Sequence, residues 1–390
     1  MKSYLSHLEC TYCGRVASAN QLQNVCSTCG KVLYPRYDLE GVKKVLSRED
    51  ITLRPASMWR YYELMPVINP ENVVTLGEGM TPLIEAKRLG KSLGCSNLMI
   101  KEEGLNPTGT FKARGLSVAV SKAKELGVRD MVMPSAGNAG SALAAYAAKA
   151  GMRAHVFLPD DTPEMNKLEC IAYQAQCCYV QGNIADAGRA AEENGRGKDW
   201  FSVSTFKEPY RVEGKKTMGI EVAEQLGWSI PDAIIYPTGG GTGILGMWKA
   251  FDELEQLGWI GEKRPKMICV QSTGCAPIVK AFSEGSKFAE SWLDAQTIAT
   301  GLKVPSPFAD YLILGVISDS EGTAVAVTDT EIIEAVQEIA HLEGILACPE
   351  GAATLAGLKH LLAQGFLSHT EQIVLFNTGS GLKYPELVSA

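Results

Sequence analysis

From about residue 75 onward, short apolar runs alternate with longer stretches in which apolar positions recur every three or four residues. The first pattern predicts buried strands and the second amphipathic helices. Strands are expected at 98–103 (LMIKEE), 130–135 (DMVMPS), 153–159 (RAHVFLP), 177–182 (CCYVQG), 231–241 (PDAIIYPTGGG), 266–272 (KMICVQS) and 371–379 (EQIVLFNTG). Helices are expected at 112–127, ending on glycine, at 138–151, rich in alanine, and at 162–176, opened by Thr162 and Pro163. Two more are expected at 184–194 and 242–258.

Strands alternating with helices imply parallel sheets covered on both faces, so the fold class is α/β, with two doubly wound domains. Residues 1–36 read as a small cysteine ribbon. Residues 37–111 read as a helical linker and the first part of a large domain, 112–210 as a smaller mobile domain, and 211–390 as the rest of the large domain. In open sheets of this kind ligands sit at the carboxyl ends of strands. The polar, glycine-rich loops fall there, at Ser135–Asn138, Gly239–Gly243 and Thr378–Gly381.

Charge narrows the partners. The 390 residues carry a net charge of −7, against the basic excess of most nucleic-acid binders. No apolar run is long enough to span a bilayer, and MKSYLSHLECTYCG has no stretch of signal-peptide type. A cytoplasmic protein acting on a small molecule, with no nucleic acid and no membrane, is expected.

Eleven cysteines is a high count, and four of them form a pattern. CTYCG at 10–14 and CSTCG at 26–30 are paired knuckles, with twelve residues between Cys13 and Cys26. Cys10, Cys13, Cys26 and Cys29 could close a tetrahedral zinc site. Two redox pairs, or a relic that binds no metal, are the alternatives. The other seven cysteines lie in apolar segments and read as small buried hydrophobes. The five histidines form no pairing that suggests a triad.

Four further stretches bear on chemistry. PTGGGTG at 237–243 follows a strand and opens a helix. Its glycines let the backbone approach an anion, and the helix start supplies N–H groups. Alone it reads equally well as a tight turn. NPTGTFKARG places Lys112 at the first turn of a helix, where a cation opposes the helix dipole. The same placement, with burial, favours a neutral amine and so suits an imine-forming lysine, although by itself it reads more readily as a lysine on a solvated helix end. The loop PSAGNAG at 134–140 suits a carboxylate and a phenolic oxygen. FNTGSG at 376–381 offers the neutral hydroxyl of Thr378 to a ring nitrogen. Together these elements describe a pyridoxal phosphate pocket.

At these motifs the chain resembles the fold-type II pyridoxal phosphate enzymes, the tryptophan synthase β-subunit family, and within them it looks most like the threonine synthases. The resemblance covers about residues 72–385, and EPYRVEGKKT at 208–217 adds to it. It implies pyridoxal 5'-phosphate as cofactor, with Lys112 as the imine lysine and base, preceded by Phe111. Asn138 would contact the phenolic oxygen, Gly239, Gly240, Gly241, Thr242 and Gly243 the phosphate, and Thr378 the ring nitrogen. On the substrate side it implies Ser135, Ala136, Gly137 and Arg211, with Arg211 on the phosphate of O-phosphohomoserine. A homodimer is also implied.

Three positions depart from the family pattern: Ala113, where an aspartate is usual; Ala139, where a threonine is; and Glu208, where an asparagine is common. The leading expectation is conversion of O-phospho-L-homoserine and water to L-threonine and phosphate. The alternatives are elimination or β-replacement on serine, threonine, diaminopropionate or phosphoserine, as in dehydratases, ammonia-lyases or cysteate synthases. A cysteine-ribbon interaction module on a silent scaffold is a third reading.

Overall fold

The computed structural model describes residues 2–388, which divide into two compact units. The first holds the residues up to Met80, Asn106–Thr108 and Lys112–Met218; the second holds Thr81–Leu105, Gly109–Phe111 and the chain from Gly219.

The first unit opens with three short antiparallel strands, β1 (Leu5–Cys10), β2 (Val16–Ala17) and β3 (Leu33–Tyr37), in the order β2-β1-β3. The segment after them, expected to be a helical linker, forms two one-turn helices, Leu39–Lys43 and Arg48–Thr52, and a 3-10 segment, Met58–Leu64. It is not a spacer. Met58, Trp59 and Tyr62 are buried in one apolar cluster with Leu8 and Leu33 of the ribbon.

Four parallel strands then build this unit's main sheet: β6 (Asp130–Pro134), β7 (Arg153–Pro159), β8 (Gln176–Val180) and β9 (Trp200–Ser202), ordered β8-β7-β6-β9. Side chains alternate across a strand, so β6 serves two cores. Met131 and Met133 pack with Leu116, Val120 and the alanines of helix Asn138–Ala150, while Val132 turns toward Ala187 and Ala191 of helix Ile184–Gly195. The helix expected at 162–176 is shorter, Glu164–Ala172, because Gln174 adopts a positive φ of 58° ahead of β8. Helix Arg211–Gln225, which begins in this unit, was not anticipated from the apolar pattern.

The second unit is built on six strands: β4 (Leu83–Glu85), β5 (Asn97–Glu102), β10 (Ala233–Pro237), β11 (Lys266–Ser272), β12 (Thr323–Val327) and β13 (Gln372–Asn377). Their order is β12-β11-β10-β13-β5-β4, parallel throughout except for the antiparallel edge strand β4. Ile100, Ile235, Ile268, Val270, Ile373 and Leu375 share one core with apolar residues of helices Asp329–Glu343 and Pro349–Ala363. The chain's last strand, β13, sits in the middle of this sheet, between β10 and β5. The α/β class and the parallel sheets are as the sequence predicts.

Candidate active site

In the second unit the glycine loop leaves the carboxyl end of β10 and enters helix Thr242–Gln256. Thr238 is anchored by its amide to the Val270 carbonyl (2.8 Å). A Cβ on Gly239 would overlap the Gly301 carbonyl, and one on Gly243 would overlap the Tyr236 phenol. The loop is therefore pressed against its own unit on one side, and only glycine fits. No side chain caps the helix at Gly241, although Gly241, Thr242 and Gly243 are all buried. A buried helix start without a cap leaves N–H groups in need of an acceptor, and a phosphate supplies one. The loop thus fits the anionic end of a pyridoxal phosphate.

The same unit contains the end of β13. Thr378 is buried, and its carbonyl accepts from the Phe111 amide (3.0 Å). The Phe111 ring meets Tyr236 edge-on, with centroids 6.1 Å apart. Lys112 is joined to Phe111 by one peptide bond, so chain connectivity alone ties the lysine to this strand end. The Cys348 thiol lies 3.7 Å from the Thr378 hydroxyl. Burial, with the nearby Glu350 charge, pushes that thiol well above its ordinary pKa, so it remains neutral. Asn377 donates to both oxygens of Glu102 (2.9 and 2.8 Å).

In the first unit Lys112 begins helix Lys112–Glu125 and is half-buried. Helix Arg211–Gln225 packs closely against it, because Gly115 and Gly214 stand where the backbones meet. A Cβ on Gly115 would lie 2.9 Å from the Arg211 carbonyl, and one on Gly214 would overlap the Arg114 carbonyl. Arg114 then bonds Thr217 across the pair (2.9 Å). Ala113, one of the departures, is fully buried in the apolar core, where an acid would be stranded.

Arg211 is 1% exposed. Its Nη1 donates to the Val203 carbonyl (2.8 Å) and the Thr205 hydroxyl (3.3 Å). Its Nε and Nη2 have no partner among the described residues. A buried guanidinium with two unanswered donors fits a bound oxyanion. Glu208, another departure, takes up the amides of Tyr210 (2.7 Å) and Arg211 (3.1 Å). Burial pushes its carboxyl up to about 7, against the pull of Arg211.

Asn138 starts helix Asn138–Ala150, and its Oδ1 accepts from Asn166 (2.9 Å). Asn166 was missed in the sequence. It is buried and also donates to Ser141 (2.9 Å), so the only available signal was an asparagine on the inner face of its helix. The Ser135 hydroxyl is engaged within its own loop, accepting from the amides of Gly137 (3.2 Å) and Gly140 (2.8 Å). The side chain shapes the turn through Ala136 and Gly137.

The four knuckle sulfurs lie within 4.8 Å of one another, with Cys10–Cys29 at 3.4 Å, Cys13–Cys29 at 3.5 Å and Cys13–Cys26 at 3.6 Å. Sulfurs around a tetrahedral zinc stand about 3.8 Å apart, so the cluster fits such an ion. Burial raises the Cys26 thiol pKa, but amide hydrogen bonds from Cys29 and Thr28 bring it down to about 6. No helix among the described residues is long and apolar enough to cross a membrane.

Comparison with known proteins agrees with this geometry. Residues 74–379 match the family described as "Pyridoxal-phosphate dependent enzyme", and that span holds every loop described above except the cysteine ribbon. The chain belongs to this family of pyridoxal-phosphate dependent enzymes, in its fold-type II branch. Its curated relatives are narrower still. It is 39% identical to the threonine synthase of Methanocaldococcus jannaschii over 97% of this chain and 93% of that one. It is 37% identical to the threonine synthase of Methanosarcina acetivorans over 98% and 93%. Among solved structures it resembles threonine deaminase isoform 2 of Solanum lycopersicum (TM-score 0.67, 22% identity, covering 79% of this chain and 82% of that one). It also resembles the L-serine ammonia-lyase of Rhizomucor miehei (TM-score 0.66, 24% identity, covering 79% and 97%). At such identities the solved structures speak for the fold alone.

Proposed function

We propose that this chain is a threonine synthase, converting O-phospho-L-homoserine and water to L-threonine and phosphate. Identity to threonine synthases over nearly the whole chain supports the reaction. The observation that carries the choice of a phosphorylated substrate is Arg211, buried with two donor nitrogens unanswered at the start of the helix packed against the Lys112 helix. Serine or threonine as substrate would leave both unanswered.

Bound pyridoxal phosphate supplies an electron sink for charge developing on the substrate carbons. The chain's own residues do the rest. Lys112 supplies the amine that tethers the cofactor and, once released, moves the proton from Cα. Gly239, Gly240, Gly241, Thr242 and Gly243 hold the cofactor phosphate with backbone N–H groups. Asn138, with Oδ1 committed to Asn166, donates from its amide nitrogen to the ring's phenolic oxygen. Thr378 sets a neutral hydroxyl against the ring nitrogen, which suits elimination and replacement better than transamination. The loop Ser135, Ala136 and Gly137 receives the substrate carboxylate, and Arg211 its phosphate.

The four knuckle cysteines are read as a zinc site. With every position taken by sulfur none is open to substrate, so the metal is structural. Metal analysis should give one zinc per chain. We also read the enzyme as a homodimer, as the family resemblance implies, and as cytoplasmic, as expected from the sequence.

The test uses purified holoenzyme. Phosphate release from O-phosphohomoserine with threonine formation is expected. Rapid keto-acid formation from serine or threonine, without phosphate release, would reassign the chain to a dehydratase. Lys112→Ala should lose the tethered cofactor's visible absorbance and about 10³-fold or more in kcat.

A further inference from the structure

The cysteine ribbon touches the segment that carries Arg211 in three places. Asn24, in the loop between the knuckles, donates from Nδ2 to the carbonyls of Ser202 (2.9 Å) and Lys207 (2.6 Å). Ser202 ends β9, and the next carbonyl, Val203, is the one that Arg211 grips with Nη1. One side chain of the ribbon therefore pins the peptide beside the arginine's own anchor. Tyr210, next to Arg211, lies in the apolar cluster that contains Cys10 and Cys26. The Tyr37 hydroxyl, at the end of β3, donates to Glu213 (2.7 Å), in the first turn of the Arg211 helix.

The loop that presents Asn24 has almost no regular structure of its own. Between β2 and β3, residues 18–32 form only turns and bends. Its Val32 end is held by the Thr11 amide (3.0 Å), and the knuckles fold on their own Gly14 and Gly30 amides. The β1–β3 ladder, ending at Cys10 opposite Leu33, and the Arg15–Thr28 hydrogen bond (2.6 Å) bring the two knuckles side by side, and the four-sulfur cluster is placed to cross-link them. A cross-link there removes the freedom of the intervening loop, and with it the freedom of Asn24.

We infer that the four-cysteine centre is a positioning device for the substrate-phosphate arginine. Metal bound at Cys10, Cys13, Cys26 and Cys29 fixes Asn24, Asn24 fixes the 202–207 segment, and that segment aims Arg211. The inference rests on the reading of Arg211 given above. It gives the ribbon a part in substrate affinity and none in the chemical step.

The experiment compares holoenzyme variants by calorimetric titration with inorganic phosphate, which needs no turnover, and by steady-state kinetics with O-phosphohomoserine. Asn24→Ala removes two hydrogen bonds and should weaken phosphate binding and raise KM by about 10-fold. Its kcat, zinc content and cofactor absorbance should stay at wild-type values. Stripping the zinc should weaken phosphate binding at least as much, and adding zinc back should restore it. Gln21→Ala, an exposed change in the same loop, should do nothing. Asn24→Ala keeps all four thiols, so it tests the link even where stripping unfolds the ribbon. Wild-type phosphate affinity in both Asn24→Ala and the stripped enzyme, with affinity lost in Arg211→Ala, would overturn the inference alone. Wild-type affinity in Arg211→Ala would overturn the reading beneath it, and the inference with it.

Discussion

The cysteine knuckles and the glycine loop both depend on glycine, for opposite reasons. In the knuckles, Gly14 and Gly30 have φ of 72° and 70°, and a Cβ on either would meet nothing within 4 Å. Conformation selects glycine there, and space does not. In the loop before helix Thr242–Gln256, Gly239 and Gly243 have no unusual φ, yet a Cβ on either would collide with its own unit. There space selects glycine, because the backbone lies flush against Tyr236 and Gly301. A glycine-rich stretch in a sequence does not say which of these it is. The distinction separates a residue that makes a turn from one that makes room.

Three sites can be tested, in falling order of effect, and the first and last can break or sharpen that contrast. The largest effect is expected from Gly243→Ala, which forces a methyl into the Tyr236 phenol. Overpacking of this kind costs roughly 1–3 kcal/mol. The displaced loop should also fail to retain the cofactor, as absorbance after gel filtration would show. Normal cofactor retention would mean that space is not the reason for that glycine.

The next tests charge, where neither conformation nor space is at issue. Glu208 titrates near 7 instead of its ordinary 4.5, because burial penalises its anion while Arg211 favours it and Glu213 opposes it. The folded protein thus binds this proton more tightly than the unfolded chain, so the group's contribution to stability falls as pH rises from 4.5 to about 7. Above that point an anion stands beside Arg211. The KM for O-phosphohomoserine should rise severalfold, relative to Glu208→Gln, as pH climbs through about 7. The substrate phosphate's own second ionisation, near 6, acts in the opposite sense and is common to both proteins. Parallel pH profiles for the two would refute the role.

Gly14→Ala should cost about 1 kcal/mol in thermal unfolding while leaving zinc content intact, since only the left-handed backbone resists it. Gly14→Asn, a residue that tolerates that conformation, should cost no more than a few tenths of that. Equal losses from the two would point to a steric cause that the open surroundings of Gly14 contradict.

How much of this was legible in the sequence depends on how far each interaction reaches along the chain. Strands such as β7 and β11 and the alanine-rich helix Asn138–Ala150 carry their signal locally, and were readable to within a residue or two. Helix Arg211–Gln225 was not, because it is buried nearly all round while charged residues such as Glu213, Lys215, Lys216 and Glu221 are spread along it, so no apolar stripe marks it. The packing of Met58–Leu64 against the ribbon was not legible, because a short 3-10 turn has no helical period to recognise. In the candidate site the glycine loop, Lys112 and Thr378 were legible as types of residue at strand and helix ends. Asn24 and Asn166 were not, since a single asparagine makes no pattern, and the partners of Asn24 lie 178 and 183 residues away. Ser135 was legible through resemblance as part of a substrate loop, but not that its hydroxyl accepts from the Gly137 and Gly140 amides of that loop. Arg211 was legible only through resemblance; its burial and its two unanswered donors are facts of packing.

The central place of β13 bears on how the protein is made. The four strands β6 to β9 of the first unit are all synthesised between residues 130 and 202, so a nascent chain can close that sheet early. The second unit cannot follow suit. Strand β5 is made before residue 103 and β10 by residue 237, but the strand that joins them is not translated until 372–377. Until then β5 and β10 each wait with an unpaired edge. A stop codon just before residue 372 would leave both edges open and the glycine loop mounted on half a sheet.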